Sequence, residues 1–535
     1  MATLLLLNTL LLSTTTLATT IIPASQAGNA SWPYYTYKTS PYQPPVLSIT
    51  PNPPTSPSPT YLFLAPDGPY PHQVAPLIYT PTGDPIWNGE PHQHAFAFGV
   101  QTYRGEKVLV SWNGTNYREP IGRGYGYVYL RDKHYDIIHN ITLPGPFLSQ
   151  LPNTTYGSNI DLHEIFITEH GTLLITANNV TQTDLTSVGG PPNGWIVEAQ
   201  FYELDIATNT ILFAWKSLDH LDKIPLTASV YPLGSDGQDG TTQSKAWGYI
   251  HINAVSPLEE NGYIFSSRFL CAGVAISRGD GSVKWILQGR NGGDFKLGAG
   301  AQFCYQHDIR AVAGGEAGTA EVVLSLHDNA NSPIENGTTP TSGKLLRVNF
   351  ATKEVRLQQE FLNASGPTFS TAQGNMQIMT NGHVFLGHGW IPVLEEYTAE
   401  GEILATWRFG DALERAGGGF WSPLKPTLSY RAFRQAWVGC PRGRPDVVAE
   451  GDGGTTRVYV SWNGATEVAG WEVWGGGSEG GLRCVKTVGK AGFETEVEVV
   501  EAGVEFVRVQ AVWRDGVGAC EGVGEGVSEV VRVER

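Results

Sequence analysis

Histidine is the side chain best suited to move a proton or attack an electrophile near neutral pH, and this chain sets it inside apolar runs that read as buried strands. His251 and Asn253 stand two apart in "YIHINAVSP", and His307 and Arg310 stand three apart in "YQHDIRAVA". His94 in "HAFAFGV" and His163 in "LHEIFIT" occupy matching places earlier in the chain, and "GNMQIMT" puts Asn375 and Gln377 there later. Any one buried histidine is compatible with a plain hydrogen-bonded structural role, whereas imidazoles converging from successive units would form a polar reaction site. Arg310, and Arg268 in "FSSRF", add guanidinium groups, which bind tetrahedral oxyanions such as sulfate or phosphate through paired donors. Zinc or copper is the rival chemistry for clustered imidazoles. A fixed positive charge beside a metal cation is costly, so no metal is expected. No GxxxxGK[ST] phosphate loop occurs.

The elements that must position these residues form a repeat. A strand, a turn with Gly, Asp or Asn, and a second strand that often carries Trp recur as "PLIYTPTGDPIWNG", "GYVYLRDKHYDIIHNITLPG", "FYELDIATNTILFAWKS", "GVAISRGDGSVKWILQG", "KLLRVNFATKEVRLQQEF" and "LEEYTAEGEILATWRFG". Each of the later five is preceded by another hairpin-like pair, such as "DLHEIFITEHGTLLITANN" or "NMQIMTNGHVFLGHGW". Two hairpins per unit make a four-stranded antiparallel sheet. Six such sheets in series predict an all-β fold, a six-bladed β-propeller, whose first strands line a central channel. Composition shifts near Arg444, and the alternating strands of residues 444–535 suit a small fibronectin type III-like β-sandwich, with a seventh blade as the competing assignment. The expected order is a signal peptide at 1–27, a Pro/Ser-rich extended arm at 28–60, the propeller at 61–443 and the sandwich at 444–535.

Hydrophobic residues make up 41% of the 535 and charged residues 16%, with 64 Gly and 34 Pro, a turn-rich globular composition. The net charge of −16 argues against nucleic acid and anionic membranes as partners. The Leu-rich start, with Ser25 and Ala27 spaced for cleavage after Ala27, predicts a secreted protein without membrane attachment after cleavage; a short membrane anchor is the alternative. Seven Asn-x-Ser/Thr sites, at Asn29, Asn113, Asn140, Asn153, Asn179, Asn336 and Asn363, fit a glycoprotein. Of five cysteines, Cys271, Cys304, Cys440, Cys484 and Cys520, none forms a CxxC pair, so one or two disulfides and a leftover thiol are expected.

Taken in order, "WGYIHINAVSP", "NGYIFSSR", "FCYQHDIRAV", "LHDNANS", "GNMQIMTNGHVFLGHGWIPVLEEY" and "SYRAFRQAW" resemble the arylsulfotransferase family in its secreted, fungal-type branch, from about Tyr61 to Pro441. The resemblance implies a six-bladed propeller that moves a sulfuryl group from an aryl sulfate ester to a phenolic acceptor, with a small aromatic partner and no nucleotide donor or other cofactor. It places the H-x-N motif on His251 and Asn253 and the Q-H histidine on His307, with Arg310 as a sulfuryl-oxygen ligand. His163 joins these as a catalytic candidate, and Arg268, His94, Asn375 and Gln377 as substrate-binding ones. Bacterial members use a further, late histidine as nucleophile; His383 in "TNGHV" and His388 in "LGHGW" stand late in this chain, and neither is a secure counterpart. The second functional expectation is a secreted propeller that binds a small aromatic or anionic ligand, or a partner protein, without turnover.

Overall fold

A computed structural model describes residues 20–23, 32–51, 60–117, 122–259, 261–312, 321–332, 334–335, 339–414, 420–421, 427–452, 454–514, 520 and 526–535. Apart from residues 20–23, the segment expected as a signal peptide lies outside them, as do Ala27, Asn29 and Asn336. The described chain is almost wholly β, with only short 3-10 turns, and no helix in it is long and apolar enough to cross a membrane.

Antiparallel sheets follow one another along the chain, each a meander that begins with its most interior strand. The run Ala95–Tyr103, Glu106–Tyr117, Arg123–Arg131, Ile137–Ile141 and the run Ile160–Ile167, Thr172–Thr183, Gly194–Asp205, Ile211–Lys216 are joined into one eight-stranded sheet where Ile160 pairs with Gly126. Then come Ile252–Leu258 through Val283–Gln288, His307–Val312 through Glu354–Phe361, and Asn375–Ile378 through Ile403–Arg408. The first sheet is built from both ends of this region: the late strand Phe433–Ala436 pairs with Thr60–Leu64, which continues to Leu77–Tyr79 and Pro85–Asn88. Ser48–Thr50, ahead of Tyr61, adds an edge strand to Ile403–Arg408, so the Pro/Ser-rich arm is partly absorbed into a sheet.

Turn chemistry explains the regular outer hairpins. Their tips carry a residue with positive φ, Gly83 (93°), Asn209 (59°), Gly281 (73°), Lys353 (56°) or Gly401 (92°), and beside all of these but Lys353 the strand register slips by a bulge. A type I turn closed by one left-handed residue has that form, and it favours Gly or Asn at the slot. Four of the outer strands carry a Trp, at Trp87, Trp215, Trp285 and Trp407, that packs into the hydrophobic core. Trp215 lies among Phe201, Phe265 and Val274, and Trp407 among Leu62, Leu77 and Leu394, so the hydrophobic core is distributed between sheets. Truncating either Trp to Ala would cost roughly 3–5 kcal/mol.

The inner strands leave backbone N–H and C=O groups facing one another across gaps too wide for ladder pairing, and polar side chains fill those gaps. Gln435 bonds both N and O of Val100 (2.7 and 2.9 Å), and Gln101 bonds Ile165 O and Ile167 N (2.8 and 2.6 Å). Glu164 accepts from Val255 N (2.8 Å), Asn253 donates to Gln306 O (2.8 Å), and Asp308 accepts from Met376 N (3.2 Å). Asn375 bonds Ala432 O and N, and Gln377 bonds Arg434 O and N, returning the circuit to the first sheet.

Beyond Arg444, a three-stranded sheet, Asp446–Asp452, Thr455–Ser461 and Glu494–Val499, faces a four-stranded one, Arg483–Gly489, Val468–Gly476, Phe506–Trp513 and Val531–Arg532, around a Val-rich core with Trp471 at its centre. Among the described residues these strands pair only with one another. Cys440–Cys520 ties the two regions together, Cys271–Cys304 closes a second disulfide, and Cys484 is an exposed free thiol.

Candidate active site

Three imidazoles meet where the inner strands converge. His163 sits inside Ile160–Ile167, His251 immediately before Ile252–Leu258, and His307 at the head of His307–Val312; all are buried. The rings of His163 and His251 lie 4.5 Å apart at 89°, and Tyr430 stands 5.5 Å from His163 and 6.4 Å from His307. Arg268, from the turn after Gly262–Ser267, completes a cavity of about 50 Å³ whose apolar side is Phe96, Leu162, Trp390 and Leu428. By the rule of about 10–15 Å³ per water, that space suits a small polyoxygen group rather than a whole aryl ester.

Hydrogen bonds assign the protons. His163 Nδ1 is bonded to Asp161 and its Nε2 lies 2.9 Å from His251 Nε2. Two ring nitrogens at that distance need one proton between them. With His163 Nδ1–H held by the Asp161 carboxylate, the neutral pair places the shared proton on His251 Nε2. Burial raises the Asp161 carboxyl, but His163, the Gly124 N–H and Arg123 outweigh it, so its pKa ends below the usual carboxylate value. His251 is held well below the ordinary 6.5, first by burial and then by His163, Arg123 and Arg268. His307 is also held well below it, by burial and Arg268 against the opposing bond from Asn329. Burial lowers Arg268 to about 10, which leaves it a cation at neutral pH. Its Nη2 donates to Thr371 O (2.7 Å), while its Nε is buried with no partner. An orphaned buried guanidinium donor beside neutral imidazoles is a ready place for anionic oxygens.

The structure brings together His163, His251, His307 and Arg268, and it disperses the other candidates. Asn253 backs the cavity with its Oδ1 buried and unbonded. Arg310 does not line the cavity. Past a bulge at Asp308 (φ 60°) its guanidinium instead bonds Glu164 (2.7 Å), Asp308 (2.7 Å) and Val255 O (3.0 Å). Arg431 joins Glu164 from the other flank (2.9 Å), giving a neutral four-charge cluster that separates the imidazoles from a second, larger cavity of about 670 Å³ lined by Phe166, Met376 and Phe433. Size favours the larger space, but its guanidinium groups Arg310 and Arg431 are ion-paired with Glu164 and Asp308, although Arg431 Nε lacks a partner, and it holds none of the three histidines, so the chemistry belongs to the smaller. His94 is exposed and bonded to Asp67 (2.8 Å), and the amides of Asn375 and Gln377 are consumed by the backbone bonds described above. His383 bonds Glu396 (2.9 Å); His388 bonds Glu395 (2.8 Å) and His327 (3.2 Å), away from the cavity. Among the described residues no group of three or more His, Cys, Asp or Glu is placed to hold a metal ion.

Sequence reasoning missed Asp161, Asn329, Tyr430 and the buried Arg123. Asp161 was reachable, because two residues before His163 on a strand is the same face. Asn329 lies in "LHDNANS", a stretch noted without a role.

Distant structural likenesses accompany these features. A protein of unknown function from Bacteroides caccae has a TM-score of 0.37 at 9% identity, covering 71% of this chain and 99% of its own. The β-propeller domain of Cps50 (Swd1) from Myceliophteria thermophila scores 0.29 at 10% identity, covering 75% and 96%. AztD from Citrobacter koseri scores 0.28 at 8% identity, covering 71% and 99%. No curated protein matches the chain. The model of the arylsulfotransferase (ASST) family matches residues 99–410, more than half of the chain, and that span holds His163, His251, Arg268 and His307 together: the chain belongs to the arylsulfotransferase family.

Proposed function

We propose that this protein is an aryl sulfate sulfotransferase-like enzyme, a six-bladed β-propeller followed by a fibronectin type III-like sandwich, that passes a sulfuryl group from an aryl sulfate to a phenol through channel histidines. The observation that carries the reading is the convergence of three buried imidazoles, two held uncharged, on a guanidinium with an unpaired donor. His307 Nε2 attacks sulfur, the N–S bond forms as the aryl O–S bond breaks, and Arg268 holds the sulfuryl oxygens. The departing phenolate leaves as the anion. In the second half the neutral His251–His163 pair, backed by Asp161, takes the proton of the acceptor phenol as its oxygen takes the sulfuryl group from His307 and the N–S bond breaks; that proton then leaves to solvent or to the released phenolate. Export to an oxidising compartment fits the two disulfides.

The test is incubation of purified protein with a chromogenic aryl sulfate, with and without a phenol, followed by mass spectrometry of the His307 peptide for the gain of one SO₃. Phenol-dependent release and a modified His307 support transfer; neither, across a range of pH, refutes it. A binding-only propeller is the second reading. It is favoured by the Gln373 backbone N–H, which sits 3.1 Å from His307 Nε2 and occupies the attacking lone pair until displaced.

A further inference from the structure

We propose that Asn329 is a positioning residue that holds His307 in the tautomer able to attack sulfur, by presenting a carbonyl oxygen whose orientation is set by the loop at Ser370–Gln373. The proposal rests on the sulfuryl-transfer reading above.

Asn329 follows the strand Glu321–Asp328 and is fully buried. Its two amide ends are distinguished by their partners. One end faces Gln373 O (2.9 Å) and Ser370 O (3.4 Å), which can only accept, so that end is Nδ2. The other end, Oδ1, lies 2.7 Å from His307 Nδ1 and must therefore accept a proton from it. His307 then carries its hydrogen on Nδ1 and its lone pair on Nε2, in agreement with the Gln373 N–H that Nε2 accepts at 3.1 Å. The same loop also receives Arg268 through Thr371 O (2.7 Å), so one segment sets the tautomer of His307 and the place of the oxygen-binding cation.

The partner type matters as much as the geometry. Asp161 gives His163 a charged acceptor; Asn329 gives His307 a neutral one, which fixes the tautomer with less support for the protonated ring. Arg268, His163, His327 on the paired strand, His251 and the Tyr430 ring are the other groups facing His307, and the first three disfavour its protonation. The carboxamide thus leaves His307 Nε2 with a lone pair, the form able to attack.

The experiment uses the full-length protein with ¹⁵N-labelled histidine, the His307 signals being identified by their loss in His307→Gln, alongside steady-state kinetics of Asn329→Leu and Asn329→Asp. The wild type should show His307 protonated on Nδ1. In Asn329→Leu the signal should become a mixture of tautomers, and kcat should fall by at least about 10-fold with KM within about twofold, since the bound Nδ1–H loses its acceptor. In Asn329→Asp the acid limb of kcat/KM should move up by about one pH unit or more, because a carboxylate favours the protonated ring. A wild-type His307 protonated on Nε2, or an active Asn329→Leu enzyme with unchanged kcat, overturns the proposal. If Asn329→Leu does not fold, the wild-type tautomer and the Asp profile decide. A wild type with no transfer but with Nδ1–H at His307 removes the transferase reading and leaves the positioning intact.

Discussion

Acidification should weaken the histidine-bearing region over a defined pH window. His251, His307 and His327 are each held well below the ordinary 6.5 with burial as the first cause, so the folded chain keeps them neutral where the unfolded chain takes up protons. Stability is therefore complete above the unfolded value and is lost as pH falls from 6.5 toward the folded values. Each group contributes a slope of up to about 1.4 kcal/mol per pH unit, and the three together up to about 4 kcal/mol per unit. The depressed carboxyls Asp161, Glu164 and Glu395 act in the same direction only further down, below their ordinary 3.8 to 4.5. His327 is the useful perturbation, since it is buried beside His388 and does not line the cavity. Urea unfolding of the full chain with its disulfides intact, from about pH 7 to about pH 5, should give a slope for His327→Gln smaller than wild type by about 1.4 kcal/mol per unit. The C-terminal sandwich is an internal control, because no histidine occurs between Arg444 and Arg535 and its transition should keep its position over that range. Equal slopes in the two proteins, or a flat wild-type profile, would refute the reasoning.

Arg268→Met removes the cation that faces the cavity and should lower turnover of a chromogenic aryl sulfate by about 10²–10³-fold with a small change in melting temperature; unchanged kcat means the oxygens are held elsewhere. Asp161→Asn should lower kcat by at least about 10²-fold with KM little changed, since His163 loses the carboxylate that backs its proton. A wild-type pH–rate profile in that variant would count against the relay. Arg310→Ala leaves buried Glu164 short of a partner and should cost roughly 3–5 kcal/mol of stability, read by denaturation, with kcat per folded molecule unchanged. A kcat loss at unchanged stability would return Arg310 to the chemistry.

Much of the architecture was legible because its signals are local. Alternating apolar residues, a turn residue such as Gly281 or Asn209 with positive φ, and a Trp on the next strand are all set within a dozen positions, and each hairpin formed where they stand. The sequence also ranked His163, His251, His307 and Arg268 as chemistry-bearing, and these four meet. What it could not place was closure. Phe433–Ala436 completes the sheet begun by Thr60–Leu64, and Ser48–Thr50 edges the strand Ile403–Arg408; pairings across more than 350 positions leave no periodic trace.

Arg310 shows the same limit at the scale of one side chain. Three residues from His307, it was expected on the sulfuryl oxygens, but Glu164 and Val255 O from other segments, together with Asp308, hold its guanidinium instead. Asn375 and Gln377 follow from the same cause, since an amide facing an unpaired backbone edge bonds that edge first. By itself, then, the sequence determined the strands, the turns and the residue types available for sulfuryl transfer. Only the tertiary structure decided which of them face the cavity, which nitrogen of each imidazole carries the proton, and which charges are spent on one another, because those outcomes depend on partners brought close by folding.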